Sequence, residues 1–308
     1  MPDQWHMVQC TDCQSIWLNP RPDRLSLPRA YDSYYTHSEG GQSIPPGLPG
    51  KFVHGYLNER FAMHRKPAVW FGYIIFSLIE PWRLKLDYYG RHLTAHNREE
   101  RQGVLLDIGC GNGEFLGLAR EMGWNTLGCE IDPKAIALCQ KKGLNVIEGD
   151  GFNPQLQKEY FAVITMSHVL EHVAHQPQLL QRTYELLKPG GHLWLALPNP
   201  ESIGLRLYGE SWREFHPPYH LNIPSQKRLK QWLKSAGYTD IKLIRRGAHA
   251  SKAWKNSDSI AANQKTKAPN RIKKIISYIV ANAIATISPR YAEETVITAK
   301  KPGGTHGD

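Results

Sequence analysis

Three glycines alternate with other residues directly after a short apolar run, and an aspartate stands just before them. Residues 104–113 read VLLDIGCGNG, with Asp107 two positions before the first glycine. Glycine accepts positive φ and leaves the backbone bare, so Gly109, Gly111 and Gly113 allow a ligand to approach closely. The carboxylate of Asp107 would repel a pyrophosphate and attract a cation. Neither a phosphate-loop ending nor the third glycine of a dinucleotide fingerprint is present.

This stretch resembles motif I of the class I S-adenosylmethionine-dependent methyltransferases. S-adenosylmethionine (SAM) carries a sulfonium and an ammonium group and no phosphate, which suits the aspartate. The resemblance implies SAM as the cofactor, bound by Asp107 and the three glycines. The alternative is a tight turn in an unrelated α/β protein, which a lone glycine turn would leave open. Further matches along the chain argue against that alternative, because features at several levels then agree.

Two more carboxylates follow the next two predicted strands. Glu130 ends the second strand, where an acid can accept both hydroxyls of a ribose, as in dinucleotide-binding folds. Asp150 follows the third strand and would accept the adenine amino group, or serve only as a turn residue. Ile131 and Phe152 would cover the adenine ring, with Gly151 beside them. We therefore expect the cofactor at the carboxyl ends of these strands.

A histidine-rich motif follows the fourth predicted strand. Residues 168–172 read HVLEH, which matches the inverted zinc-peptidase signature. That chemistry needs the motif inside a long helix, whereas here it follows a strand directly, so the peptidase hypothesis is rejected. The family resemblance implies that Ser167 and His168 lie near the sulfonium and that Glu171 and His172 tie the loop. No metal site is predicted here.

The long segment 200–224 after the fifth strand is the predicted acceptor-binding loop, since long loops at this edge often bind ligands. Its His-Pro-Pro-Tyr-His-Leu stretch resembles a segment of the same methyltransferase subgroup. His220, and after it His216, is the candidate base that removes a proton from an acceptor hydroxyl. The alternative is that both histidines only pack within the loop.

The hydrophobic pattern predicts an α/β fold with a Rossmann-like sheet and helices on both faces. The resemblance implies seven strands, the last one antiparallel, with an N-terminal extension and a helical insertion before the last strand. We expect an extension at 1–66, an apolar helical segment at 67–99 and a SAM-binding domain at 100–308. The insertion is expected at 248–292.

The extension contains a Cys-x-x-Cys pair, Cys10 and Cys13, that resembles the second knuckle of a small zinc ribbon found before the SAM domain in part of this family. A structural zinc site needs four ligands, and no second pair follows in the sequence, so no zinc site is predicted. The five cysteines show no disulfide-like spacing, which predicts a reducing compartment and a cytoplasmic location.

Positive charge is concentrated at the C-terminal end. The formal charge is +10, and residues 226–308 carry 17 Lys/Arg against 5 Asp/Glu, or +12, which leaves −2 for the rest. An anionic partner such as a membrane surface is one interpretation, and a solvated basic face is the other. The apolar segments 67–89 and 270–288 predict helices that either lie on the inner face of a membrane or pack as core. The longest apolar run, 68–79, is shorter than the ~20 residues of a bilayer span.

The predicted function is SAM-dependent methyl transfer to a small-molecule, glycan or lipid-linked acceptor, with O-methylation favoured. A nucleic-acid-directed methyltransferase is the second hypothesis, supported only by the basic C-terminal region. No Asp/Asn-Pro-Pro-Tyr/Phe motif follows the fourth strand, which argues against amino-methylation of DNA bases. A non-catalytic protein with a SAM fold is the third hypothesis, and the intact acidic positions argue against it. The sequence makes no prediction about oligomers.

Overall fold

The computed structural model describes residues 5–22, 47–94, 102–247, 249–266 and 269–304. Much of the predicted N-terminal extension therefore lies outside the described residues. Within them, ten strands form two sheets, which are surrounded by ten helices.

The strands are β1 (His6–Gln9), β2 (Ile16–Asn19), β3 (Val104–Ile108), β4 (Asn125–Glu130), β5 (Val146–Glu148), β6 (Phe161–Ser167), β7 (Leu187–Pro198), β8 (Asn222–Ile223), β9 (Thr239–Ile244) and β10 (Glu294–Lys300). The helices are α1 (Leu48–Phe61), α2 (Gly72–Leu78), α3 (Glu80–Tyr89), α4 (Glu114–Glu121), α5 (Pro133–Lys141), α6 (Gln176–Leu186), α7 (Ile203–Tyr208), α8 (Gln226–Ser235), α9 (Ala250–Gln264) and α10 (Arg271–Ile287).

The large sheet has seven strands in the order β5-β4-β3-β6-β7-β10-β9. Neighbours from β5 to β7 pair in parallel, and β10 pairs antiparallel with both β7 and β9. The order reverses between β3 and β6, so the carboxyl ends of these strands border the crevice where ligands of such sheets bind. The Rossmann-like fold with an antiparallel last strand is confirmed.

Helices cover both faces of this sheet, and α1 fills the core of one of them. Tyr56, Leu57 and Phe61 of α1 are fully buried and pack with Leu105 and Phe115. The predicted segment 67–89 forms two helices, α2 and α3, rather than one, because the chain turns at Ile79 (φ −99°, ψ 87°). Both α1 and α3 therefore pack beside β3.

The small sheet ties the N-terminal hairpin to the long loop after β7. β2 pairs with β1 on one side and with β8 on the other, both antiparallel. The Ser15 hydroxyl also accepts a hydrogen bond from the Ser225 backbone N–H at 3.0 Å. The hairpin with Cys10 and Cys13 therefore packs on the loop that was predicted to bind the acceptor.

The insertion before β10 contains two helices. The hydrophobic period of the sequence predicted α10. α9 buries few large apolar residues, chiefly Trp254, so its own hydrophobic period is weak. Among the described residues, no helix combines the length and apolarity that crossing a bilayer requires.

Candidate active site

The glycine turn between β3 and α4 forms part of the lining of a cavity. Gly109, Gly111 and Gly113 have φ of 67°, 54° and 76°, values that favour glycine. A Cβ on Gly109 would lie 2.4 Å from Val169, and one on Gly113 would lie 2.4 Å from Leu144. A Cβ on Gly111 would meet no atom within 4 Å. Two of the glycines therefore permit close packing, and Gly111 leaves open space beside its backbone.

Glu130 at the end of β4 holds this turn in place. Its Oε2 accepts a hydrogen bond from the Gly111 N–H at 2.8 Å, and its Oε1 accepts from the N–H groups of Ile131 and Asp132 at 2.8 and 3.1 Å. A carboxylate oxygen offers about two acceptor sites, so Oε2 has capacity for one more donor. The carboxylate thus lies next to the open backbone of Gly111, where a ribose hydroxyl was predicted.

Two exposed apolar side chains lie at the same edge of the sheet. Ile131 follows β4 and is 56% exposed, and Phe152 follows β5 and is 42% exposed. Asp150 accepts a hydrogen bond from the Phe152 N–H at 2.9 Å, which is a turn contact. A Cβ on Gly151 would lie 2.5 Å from the Leu179 side chain, so this glycine permits close packing. Their contact with adenine stays a prediction.

Asp107 is fully buried beneath the cavity rather than on its lining. Its Oδ1 accepts hydrogen bonds from Thr165 Oγ1 at 2.8 Å and from Arg91 Nη1. Its Oδ2 is buried and has no hydrogen-bond partner among the described residues. The cation expected beside this carboxylate is therefore supplied, in this structure, by the protein itself.

Arg91 is a site residue that the sequence analysis missed. It follows α3 with φ 46°, and its guanidinium lies 3.6 Å above the Phe115 ring and 5.2 Å from that of Trp194. These contacts, with Asp107 below, hold the guanidinium at the cavity wall. A planar guanidinium is well suited to bind a carboxylate. A lone arginine outside any motif gave no sequence signal.

The cavity has a volume of about 880 Å³ and extends from the glycine turn toward α9. Its walls include residues of α3 and α9, Trp194 of β7, and Ser167 and His168 at the carboxyl end of β6. Its far end is densely charged: the lining there includes Arg213, Glu214, Arg246, His249, Glu293 and Glu294. A cavity of this size has room for a cofactor together with part of an acceptor.

His168, in the cavity wall, joins the buried Glu171 to Glu294. Its Nδ1 lies 3.2 Å from Glu171 Oε1 and its Nε2 lies 3.2 Å from Glu294 Oε1. Burial lowers the pKa of His168, but hydrogen bonds to both carboxylates raise it well above its usual value. Arg246 donates from Nε to Glu294 Oε2 at 2.7 Å and lies 3.3 Å above the Tyr88 ring. His168 is therefore a charged hydrogen-bond donor and not a base.

Two carboxyl groups in the same wall have pKa values shifted toward neutrality. Burial raises the pKa of Glu293 to about 7, although it accepts hydrogen bonds from Gly204 N–H at 2.8 Å and Trp212 Nε1 at 3.5 Å. Burial also raises the pKa of Glu214. A carboxylate that titrates near neutral pH can take up and release a proton under working conditions.

The two histidines predicted as bases lie outside the cavity lining. His220 is 3% exposed, and its Nδ1 contacts the Glu214 backbone oxygen at 2.6 Å. Its ring packs against His216 with the ring centroids 5.2 Å apart. Burial is the main cause that lowers the pKa of His220 well below its usual value and that of His216 to about 3. Their role as bases stays a prediction that no contact with the cavity supports.

Comparison with known proteins identifies a matching family and several similar proteins. A family described as "Methyltransferase domain" matches residues 82–243. The phthiotriol/phenolphthiotriol dimycocerosates methyltransferase of Mycobacterium leprae is 31% identical over 130 residues, which are 40% of this chain and 47% of that protein. The ubiquinone biosynthesis O-methyltransferase of Cereibacter sphaeroides is 31% identical over 143 residues, which are 42% of this chain and 58% of that protein. A tRNA (carboxymethyluridine(34)-5-O)-methyltransferase of Arabidopsis thaliana is 30% identical over 97 residues, which are 30% of this chain and 24% of that protein.

These matches cover only part of the relatives, since the chain spans about half of the Mycobacterium leprae protein and a quarter of the Arabidopsis thaliana protein. Their names cover chemically different acceptors. The relatives therefore support the reaction class and leave the acceptor to the chain's own residues.

Proposed function

The chain belongs to the SAM-dependent methyltransferase domain family, and on that premise we propose that it methylates a hydroxyl group of a lipid or lipid-linked acceptor at a membrane surface. The observation that carries the hydroxyl chemistry is Glu293, a buried carboxyl with a pKa near 7 in the cavity wall. The lipid assignment rests on an exposed apolar surface beside the same cavity.

The residues around the glycine turn fit SAM. Gly111 leaves open space beside a carboxylate oxygen of Glu130 that can accept one more donor. Arg91 offers a guanidinium to the carboxylate of the methionine part. When bound, SAM supplies a methyl group on a sulfonium, which makes that carbon electrophilic. The protein's part is mainly to hold the acceptor oxygen in line with that methyl group.

An acceptor hydroxyl must lose its proton as its oxygen forms the new bond. Glu293 can take this proton because a base with a pKa near the working pH balances ionisation against basicity. Its hydrogen bonds to the Gly204 N–H and Trp212 Nε1 hold the carboxylate in place. The nearby His168, Arg246 and Glu294 are paired with one another, so they fix charges in the wall.

The lipid assignment begins with α10, whose apolar stripe faces outward. Its isoleucines at positions 272, 275, 276, 279 and 287 are between 51% and 76% exposed. The buried positions are the small residues Ala281 and Ala285, and Tyr278 packs on Trp254 of α9 with the ring centroids 6.0 Å apart. A helix that contacts the protein through alanine and presents isoleucine to water is suited to a second apolar environment.

A second exposed apolar group lies beside α10. It comprises Trp70, Phe71, Ile74, Leu78, Ile79 and Trp82, all at least 37% exposed. Arg245 joins the two groups, because it donates to the Thr286 carbonyl at 3.1 Å and contacts Glu80 at 2.8 Å. We call the two groups together the apolar surface.

The charge around the apolar surface favours an anionic membrane over a protein core. Residues 275–288 contain no charged side chain, while exposed lysines, Lys273 and Lys66, lie at its margins. Basic residues beside an exposed apolar face are typical of helices that lie in a membrane interface. α3 and α9, which line the cavity, also contact α10, so an acceptor held in a membrane would lie near the cavity.

The same surface argues against nucleic acid as the acceptor. Nucleic-acid-binding faces present clustered lysine and arginine to the phosphates. Here the C-terminal region that carries the positive charge presents isoleucine instead, and Lys274 and Arg245 are paired with Asp258 and Glu80. The basic tail alone therefore does not favour a nucleic-acid substrate.

Methyl transfer from labelled SAM into fractionated host extract tests the proposal. We expect label in the lipid extract as a base-stable methyl ether, and a rate at least about 100-fold lower for Glu293→Gln because a general base is lost. Glu201→Gln, outside the cavity lining, is the matched control and should keep the rate. Label confined to nucleic acid or to water-soluble molecules would contradict the lipid acceptor, and a fully active Glu293→Gln would contradict the base.

A further inference from the structure

Three side chains with metal-binding atoms meet behind the cavity wall. Glu171 and His172 follow β6, and His220 precedes β8. One nitrogen or oxygen atom from each lies within 4.8 Å of the other two. His220 Nε2 lies 4.0 Å from Glu171 Oε1, and the rings of His172 and His220 meet edge to face with centroids 4.7 Å apart. None of the three lines the cavity described above.

Both imidazole rings are oriented through the same nitrogen. His172 Nδ1 lies 3.1 Å from the Tyr219 carbonyl oxygen, and His220 Nδ1 lies 2.6 Å from the Glu214 carbonyl oxygen. A carbonyl can only accept, so each Nδ1 carries a proton, and in the neutral ring Nε2 then carries the lone pair that a metal needs. Histidines that bind metals are typically held in this way, with the other ring N–H donated to a carbonyl.

Glu171 provides an independent observation that favours a cation at this position. It is fully buried, and its Oε1 pairs with His168 Nδ1 at 3.2 Å. Its Oε2 is buried and has no hydrogen-bond partner among the described residues. An unsatisfied carboxylate oxygen in the interior is costly, and a bound cation would satisfy it.

We propose that Glu171, His172 and His220 bind a divalent first-row metal ion, with Zn²⁺ the best fit. Two imidazole nitrogens and one carboxylate are a common zinc ligand set, whereas Mg²⁺ prefers six oxygens. With bonds of about 2.0–2.2 Å, neighbouring ligands of a tetrahedral zinc lie roughly 3.4 Å apart, so binding would draw the three atoms closer. A water molecule on the partly exposed side of His172 would complete the site.

The ligand set differs from that of the inverted zinc motif in the sequence. His168 would be the first ligand of that motif, but it turns toward Glu294 with φ 55°. His220, from a loop 48 positions after His172 (220 − 172), takes that place. The ion would join the loop after β6 to the loop that carries Arg213 and Glu214 into the cavity wall. Its role is therefore to position that wall, and the earlier expectation of no metal is replaced by this proposal.

Metal binding by the full chain, measured without turnover, tests the site. The chain is stripped with a chelator and titrated with Co²⁺, followed by its visible absorption, and Zn²⁺ affinity is measured by competition with a chromophoric chelator. We expect one ion per chain and an absorption typical of tetrahedral nitrogen and oxygen ligands. Glu171→Gln and His220→Ala should each weaken binding by more than about tenfold. Removing a group that only hydrogen-bonds to a metal ligand already costs about that much affinity.

Two control variants make the result specific. His175→Ala removes an exposed histidine of the same loop and should leave binding unchanged. The double variant Cys10→Ser, Cys13→Ser removes the other candidate pair and should also bind one ion. Failure of the unmodified chain to bind Zn²⁺ or Co²⁺ overturns the proposal, and so does full binding by a folded Glu171→Gln variant. Neither outcome bears on methyl transfer, which is assayed separately.

Discussion

At the scale of single residues, Arg91 connects the buried acid of the glycine turn to the cavity. Its guanidinium donates hydrogen bonds to Asp107 and Thr165, and one face of the guanidinium stacks on the Phe115 ring. A guanidinium held by hydrogen bonds at one edge and by an aromatic ring against one face keeps its fork in one orientation, so little rotamer entropy is lost when it binds a carboxylate. We therefore expect the buried acid to act on the cofactor through the arginine that it orients.

Replacing Arg91 by lysine should weaken SAM binding by about 10- to 100-fold. Lysine keeps the charge but loses the planar fork and the stacking on Phe115, and a hydrogen bond to a charged group contributes about 1.5–3 kcal/mol. Calorimetric titration with SAM measures the change. Arg120→Lys, on α4 and outside the cavity lining, is the matched control. Equal affinity for the unmodified chain and Arg91→Lys would remove Arg91 from the cofactor site.

Glu293 leads to a prediction about pH. Its carboxyl must be ionised to accept a proton, and burial raises its pKa to about 7. Turnover should therefore increase as the pH rises through about 7, and it should fall about tenfold for each pH unit below that value. The dependence of kcat on pH measures this limb, which Glu293→Gln should lack in its residual activity. A limb that persists in the variant would belong to another group.

Site residues that lie in one contiguous motif were predictable from the sequence, and those that come from separate segments were not. Gly111 and Glu130 belong to a contiguous strand, turn and helix, so local spacing determines that their backbone and carboxylate meet. Arg91 and Glu293 come from segments before β3 and before β10, and only the tertiary fold brings them to one cavity. No local pattern marks such residues, because the burial that raises the pKa of Glu293 comes from residues distant in the chain, such as Gly204 and Trp212, which contact its carboxylate.

At the scale of elements, the sheet was predictable because buried parallel strands are continuous apolar runs with glycine turns and helices between them. Its antiparallel last strand came from the family resemblance. α9 was not predictable in this way, since its one large buried side chain, Trp254, sets no period. The hydrophobic period did identify α10. Such a period shows that the apolar residues lie along one side of the helix, but it does not show which side packs against the protein. In α10 the contact is made by Ala281 and Ala285.

At the scale of the whole molecule, the apolar surface and the cavity share their supporting helices. α3 lines the cavity with Lys85 and Tyr88 and begins at the apolar surface with Trp82, while α9 lines the cavity and supports α10. A protein that docks through this surface would therefore present its acceptor site close to the membrane interface. Docking and access of a lipid acceptor then depend on the same face of the molecule.

This arrangement leads to a prediction about vesicle binding. The double variant Ile275→Asp, Ile279→Asp should bind vesicles of phosphatidylcholine and phosphatidylglycerol at least about 100-fold more weakly, because each buried isoleucine contributes about 1.5–3 kcal/mol. Both side chains are more than half exposed, so the fold and SAM affinity should be retained. Sedimentation with vesicles measures the binding. Tyr160→Asp, an exposed residue before the amino end of β6 and so at the opposite edge of the sheet, is the control and should bind as the unmodified chain does. Equal sedimentation of all three proteins would mean that the apolar surface does not contact the bilayer, and a different partner would then have to cover the isoleucines of α10.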